Sequence, residues 1–248
     1  MTEEKLKNFL IKFLILSTLK LAKFLILFAN YKILIFNKKK IKKNNKILFE
    51  IGANLGTDTI DFLKKGYEVY AFEPTPELCV VLQNKFSHFK NFHLINMAVD
   101  VKNSFRTFNV ASHDDWGVSS LYKFSKEIKN WKNRKDFYFD NSIKTQTIRL
   151  DTFMNIYKLC KKINYLHIDT QGNDLNVLKS LGKNIRFVEK GQCEASNNIK
   201  LYKNTDNTKN KIVNFLKKKK FIVAKIAYDS NGAECNIFFK RFSNKRNK

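Results

Sequence analysis

From Lys46 onward the chain alternates between two hydrophobic rhythms. Short runs rich in β-branched and aromatic residues predict strands at KILFEI (46–51), EVYAFEP (68–74), FHLINMAV (92–99), NYLHID (164–169) and IRFVEKGQCE (185–194). Between them, amphipathic stretches predict helices at TDTIDFLKKG (57–66), TPELCVVLQNKFS (75–87), LDTFMNIYKLC (150–160) and NDLNVLKSLG (173–182). Glycines close the first and last of these, and Thr75 with Pro76 supplies an N-cap and a first-turn proline. A further helix (207–220) precedes FIVAKIAY (221–228) and ECNIFFKR (234–241), which predict a terminal hairpin around Ser230-Asn231-Gly232. Residues 100–149 are less regular. Repeated βα units predict an α/β domain over 46–241, a doubly wound, mostly parallel Rossmann-like sheet with its ligand at the carboxyl ends of the strands.

Residues 6–36 follow another pattern, rich in Leu, Ile and Phe but repeatedly interrupted by lysine. No uncharged run reaches the ~20 residues that a spanning helix needs. On a helical projection Lys5, Asn8, Lys12, Lys20, Lys23 and Asn30 fall within about 120° of one another. This predicts an amphipathic amino-terminal segment (1–36) that lies in a membrane interface; packing on the domain or a partner, and a true span, are the other readings. A basic linker (37–45) follows it, and a basic tail (242–248) ends the chain.

The formal charge of +25 invites a nucleic-acid partner, but of 47 basic residues only six are Arg, the side chain that clamps phosphates and reads bases. Nucleic acid is therefore not the expected partner, and most lysines are read as a solvated surface. Cys79, Cys160, Cys193 and Cys235 form no CxxC pair, so neither a zinc site nor a disulfide framework is expected; they suit a reducing compartment, the cytoplasm.

The stretch ILFEIGANLGTDTI (47–60) carries the chemistry. A strand, a glycine loop and a helix start turn backbone N–H groups toward a ligand. The spacing Glu50-x-Gly52-x-x-x-Gly56 lacks the third glycine of a dinucleotide fingerprint, which disfavours a nicotinamide oxidoreductase. An acid at the strand end suits a cationic amino group, and Glu73, 23 residues later at the end of the second strand, suits ribose hydroxyls. An ordinary tight turn with a capping acid is the alternative.

FEIGANLGTDT, the following AFEP, the S-S-L at 119–121, LDTF at 150–153 and IDTQGNDLNVLKSLG at 168–182 together resemble the FkbM-type methyltransferases, across residues 46–195 in matching order. The resemblance implies a class I methyltransferase fold, a seven-stranded sheet with an antiparallel last strand, and S-adenosylmethionine as cofactor. It further implies O-methylation of a carbohydrate, glycan or related hydroxyl. By it, Glu50, Gly52, Ala53, Asn54 and Gly56 surround the methionine part of the cofactor and Glu73 takes the ribose. Asn96, Ala98 and Asp100 lie near the adenine, and Asp169 faces the transferred methyl group. The usual family text there is close to I-D-V-E-G, whereas this chain has Gln171 in place of the second acid.

Asp169 is the first candidate base for deprotonating an acceptor hydroxyl, with capping of the next helix as its alternative. His113, in the loop SHDDWGVSSL (112–121), is the second, and no metal ligand set is expected. His167, inside an apolar strand, reads as a core residue. Glu194 suits either substrate contact or a salt bridge, and Trp116 and Tyr122 suit either stacking on a sugar or ordinary packing. An RNA methyltransferase and a non-catalytic membrane-associated protein that keeps the fold are the rival readings.

Overall fold

The computed structural model describes residues 46–111, 116–130, 138–159 and 162–242. The predicted segment 6–36, the linker 37–45, His113, Cys160 and residues 243–248 of the tail lie outside the described residues. In chain order the elements are β1 (Lys46–Ile51), α1 (Thr57–Lys64), β2 (Tyr67–Phe72), α2 (Pro76–Phe86), β3 (Phe92–Ile95), β4 (Ala98–Val99) and β5 (Ser104–Val110). After these come β6 (Asn141–Ile148), α3 (Leu150–Ile156), β7 (Ile163–Ile168), α4 (Asp174–Ser180), β8 (Lys190–Ser196), α5 (Lys209–Lys218), β9 (Phe221–Tyr228) and β10 (Glu234–Arg241).

Seven strands form one sheet in the order β3-β2-β1-β7-β8-β10-β9. All pairings from β3 to β8 are parallel, and β10, last in sequence, is inserted antiparallel between β8 and β9. The order reverses beside β1, so a crevice opens past the carboxyl ends of β1 and β7.

Alternation along β1 explains the layering. Leu48 joins Leu63 of α1 and Leu82 and Phe86 of α2 in one apolar layer. Its neighbour Phe49 points to the opposite face, 5.7 Å from the Phe153 ring of α3. Phe153 is fully buried and lies edge-on to Phe72 at 4.8 Å, so this aromatic contact fixes α3 against the first two strands.

The carboxyl ends of the central strands are stitched by backbone hydrogen bonds. Asp169 N–H donates to Ile51 O (2.9 Å), while Gly52 and Ala53 N–H both donate to Phe72 O (2.9 and 3.1 Å). Gly52 has φ +88°, and a Cβ added there would stand 1.9 Å from the carbonyl oxygen of Asp169. The glycine is thus required by the close approach of two chain segments.

Three sequence expectations are corrected. The apolar run 92–99 is not one strand: β3 stops at Ile95, Met97 N–H turns back to Ile95 O (2.9 Å), and Ala98-Val99 pair with β6 of a separate three-stranded sheet, β4-β6-β5. The predicted strand 185–194 begins only at Lys190, because Gly182–Phe187 form a 3-10 turn that buries Ile185 and ends where Val188 N–H donates to Ile185 O (3.2 Å). The predicted helix 150–160 ends at Ile156. The irregular stretch 100–149 holds β5 and β6, whose sheet roofs the crevice; Asn173 Nδ2 donates to Val99 O (2.8 Å) and Ser120 Oγ to Gln171 O (2.6 Å), fastening the roof to the main sheet.

Phe153→Ala is expected to lower stability by about 3–5 kcal/mol in chemical denaturation, since a buried ring with aromatic partners on two strands is lost. Gly52→Ala is expected to cost about 1–3 kcal/mol from the positive φ alone, with the Asp169 clash added. Wild-type stability in either variant would refute these placements.

Candidate active site

The crevice is a cleft of about 610 Å³ including its open mouth. Its floor comes from the loop after β1 and the turn after β2. Asn54, at φ +49°, turns its N–H onto Glu73 Oε2 (2.9 Å), and Thr75 N–H donates to Glu73 Oε1 (2.8 Å). Two N–H bonds leave further lone pairs on this carboxylate for ligand hydroxyls. Glu73 is only 4% exposed, and burial raises its pKa above the usual range, with the Thr75 and Asn54 contacts opposing. Asn54 Oδ1 and Thr75 Oγ1 are buried without a hydrogen-bond partner among the described residues. Pro74, Leu78, Met97 and Ala98 add an apolar wall beside them.

Asp169 closes the far side. It follows β7 directly and exposes its side chain to the cleft that it lines, yet it stands deep among the strand ends, and burial raises its pKa. The predicted alternative, a helix cap, does not occur. Instead Asp169 Oδ1 accepts a hydrogen bond from Gln171 Nε2 (2.8 Å), and the same nitrogen donates to Glu194 Oε2 (2.8 Å). Gln171 Oε1 accepts from the Tyr202 hydroxyl (2.6 Å). The amide therefore reconciles two carboxylates where an acid would have made a third. Asp174 behind them is fully buried and accepts from Thr170 Oγ1 (2.7 Å) and Glu194 N–H (2.8 Å); burial and the nearby Asp169 push its pKa to about 7.

Of the residues expected at the cofactor or as base, Gly52, Asn54, Glu73, Ala98 and Asp169 line the cleft. The others described do not line it, and each has visible structural partners. Glu50 accepts from Thr59 Oγ1 (2.7 Å) and lies 3.9 Å from His167, beneath the loop. Ala53 is buried in the α1–α2 layer, and a Cβ on Gly56 would meet Phe86 at 2.4 Å. Asn96 spends its amide on Glu73 O and Pro74 O (3.0 and 3.2 Å), and Asp100 is held by Arg106 at 2.7 Å. These five support the wall. His113 lies outside the described residues.

His167 is 5% exposed, as expected of a core residue, with its ring nitrogens 3.9 Å from Glu50 and 3.8 Å from Asp58. Burial pulls its pKa down, but the Glu50 and Asp58 carboxylates outweigh this and raise it. Trp116 lines the cleft, whereas the Tyr122 hydroxyl is occupied by Asn173 and Asn176 (3.2 and 2.9 Å). Sequence reasoning missed Thr75 as a wall residue, because its helix-capping position was a sufficient explanation; its side chain makes no cap bond. Phe108, in the irregular stretch, also lines the cleft and carried no signal.

Among the described residues no group of three His, Cys, Asp or Glu is placed to hold a metal ion. The wall does fit S-adenosylmethionine. Glu73 can accept ribose hydroxyls, the orphaned Asn54 and Thr75 oxygens can meet ligand polar groups, and the apolar wall from Pro74 to Ala98 suits an adenine ring.

Among solved structures, the chain is similar to an rRNA methylase from Streptococcus thermophilus, with a TM-score of 0.44, 12% identity, and coverage of 80% of this chain and 88% of that one. It is also similar to Aeropyrum pernix fibrillarin with natively bound S-adenosyl-L-methionine (TM-score 0.44, 11% identity, 80% and 67% covered). Magnesium protoporphyrin IX methyltransferase from Synechocystis gives a TM-score of 0.44, 8% identity, and 86% and 78% covered. No curated protein matches the sequence. The model of the methyltransferase FkbM domain matches residues 50–223, which spans the end of β1, the loop after it, the roof, β2 and β7. The chain belongs to the FkbM methyltransferase family and is an S-adenosylmethionine-dependent methyltransferase.

Proposed function

We propose that the enzyme methylates a hydroxyl group of an uncharged acceptor, a carbohydrate or related small molecule. The observation that supports this most is the charge of the cleft wall. Glu73 and Asp169 are the ionisable residues that line it, in a chain with 47 Lys and Arg. A phosphate-bearing acceptor such as RNA would meet two carboxylates there and no cation among the described lining residues.

Methyl transfer is an in-line substitution, so positioning supplies most of the catalysis. Bound S-adenosylmethionine supplies an electrophilic methyl group on a positively charged sulfur. Asp169 accepts the hydroxyl proton, and its burial-raised pKa makes it a stronger base than a surface carboxylate. Gln171 fixes the carboxylate's rotation through its 2.8 Å bond. Trp116 offers a flat face to the apolar side of a sugar ring. Residues 6–36, with their lysine-striped apolar pattern, would rest the enzyme on the cytoplasmic side of a membrane. No helix among the described residues is long and apolar enough to cross one.

Turnover of neutral glycans and sugars, tested against phosphorylated sugars and RNA, checks the acceptor class; preference for the anionic acceptors would end this reading. Asp169→Asn is expected to reduce turnover by about 10²–10⁴-fold while cofactor affinity stays within a few-fold. In calorimetry, Glu73→Gln is expected to weaken S-adenosylhomocysteine binding by about tenfold or more, because an amide cannot accept from both Asn54 and Thr75 N–H. Unchanged affinity would remove Glu73 from the cofactor site.

A pH series tests the charge argument. Glu73 and Asp169 have raised pKa values, so each stays protonated to higher pH and gains its negative charge as pH climbs. S-adenosylmethionine carries a charge that S-adenosylhomocysteine lacks. Its affinity relative to the homocysteine form is therefore expected to rise from about pH 5 to about pH 8, and Asp169→Asn to flatten the rise. A flat ratio in the wild type would show that neither carboxylate senses the sulfur.

A further inference from the structure

At the end of the sheet opposite the cleft, a second concavity is lined by Lys162, Arg186, Lys190, Lys240 and Arg241, with Glu189 the one acid and Phe187 and Phe242 the aromatic members. The pairing of Lys240 with Lys190 and of Arg241 with Phe221 brings the start of β8, the end of β10 and the start of β9 together there. Phe242 N–H donates to Lys220 O (3.0 Å), which adds the exposed run Lys217–Lys220 at the end of α5 to the same edge.

Part of this charge is already committed. Lys162 pairs with Glu189 at 2.8 Å, and the Arg241 guanidinium is bonded to Val188 O and Ile185 O and stacks over Phe221. Arg186, Lys190, Lys240 and Lys217–Lys220 pair with no carboxylate among the described residues. Like charges concentrated on one edge repel one another, and an anionic surface relieves that repulsion. Beside these cations Phe242 is 55% and Ile222 41% exposed, apolar groups of the kind that settle at a headgroup boundary.

We infer that this basic amino-end edge is a docking surface for an anionic lipid membrane, built into the folded domain and independent of residues 6–36. A nucleic-acid substrate is the weaker occupant, since the cleft lies at the other end of the six-residue β7, about 20 Å away, and its wall carries no cation among the described residues. Lysine dominates the edge, which suits diffuse attraction to headgroups more than bidentate phosphate reading.

The test is co-sedimentation of the full chain with phosphatidylglycerol-rich vesicles and with pure phosphatidylcholine vesicles. Lys190→Glu with Lys240→Glu is expected to weaken binding to the anionic vesicles by about tenfold or more. Lys123→Glu with Lys203→Glu, an equal charge change beside the roof, is expected to change it little. Thermal melts establish folding, and Lys190→Gln with Lys240→Gln replaces the first pair if reversal unfolds the protein. Equal losses from both pairs would reduce the effect to net charge, and no loss from the edge pair would put the contact elsewhere in the chain. Loss of RNA binding with vesicle binding intact would make the edge a nucleic-acid surface. Each of these three overturns the inference, and none depends on the acceptor of the methyl group.

Discussion

Four carboxylates, Glu50, Glu73, Asp169 and Asp174, gather at the carboxyl ends of β1, β2 and β7, and no Lys or Arg pairs with any of them among the described residues. Crowding acids in this way is costly unless each finds donors. Backbone N–H groups serve Glu73, a threonine hydroxyl serves Glu50 with the His167 ring 3.9 Å away, and a glutamine amide serves Asp169. Asp174 takes a hydroxyl and two backbone N–H groups. The local backbone follows from these demands: Asn54 and Gln171 adopt positive φ, and the turn after each strand is short. The crevice is shaped by the donors that its acids require.

Much of this was legible in the sequence where local pattern and tertiary role agree. The strands at 46–51 and 164–169 are largely buried apolar runs, and the helix at 75–87 carries its own start signal in Thr75-Pro76. Legibility failed where contacts far apart in sequence decide. The run 92–99 has no internal signal for its break, which comes from Asn96 bonding the carbonyls after β2. β5 and β6 are half-exposed strands of mixed composition that form only against each other, so neither reads as a strand alone. At the site, Glu73 and Asp169 were readable because their positions at strand ends imply a ligand. Glu50 looked equivalent, and only the position of Thr59 and His167 turns it away from the cleft.

Gln171 is the clearest departure from the usual family text. Its amide donates to Asp169 and Glu194 while Tyr202 donates to its oxygen, a combination that no acid could provide without a proton. The substitution thus leaves the Asp169 carboxylate oriented and lowers the local charge. It also fits the larger segregation of the domain, with acids around the cleft and unpaired bases at the opposite edge.

The contact between Gly52 and the Asp169 carbonyl leaves no room for a side chain, and the two segments are bonded in register on either side of it. The loop after β1 and Asp169 therefore form a single rigid anvil. A change in the distance between them cannot come from relative sliding of β1 and β7. Whatever breathing admits an acceptor and lets the product leave falls to the β4–β6 sheet, which is tied down by a few side-chain bonds such as those of Asn173 and Ser120.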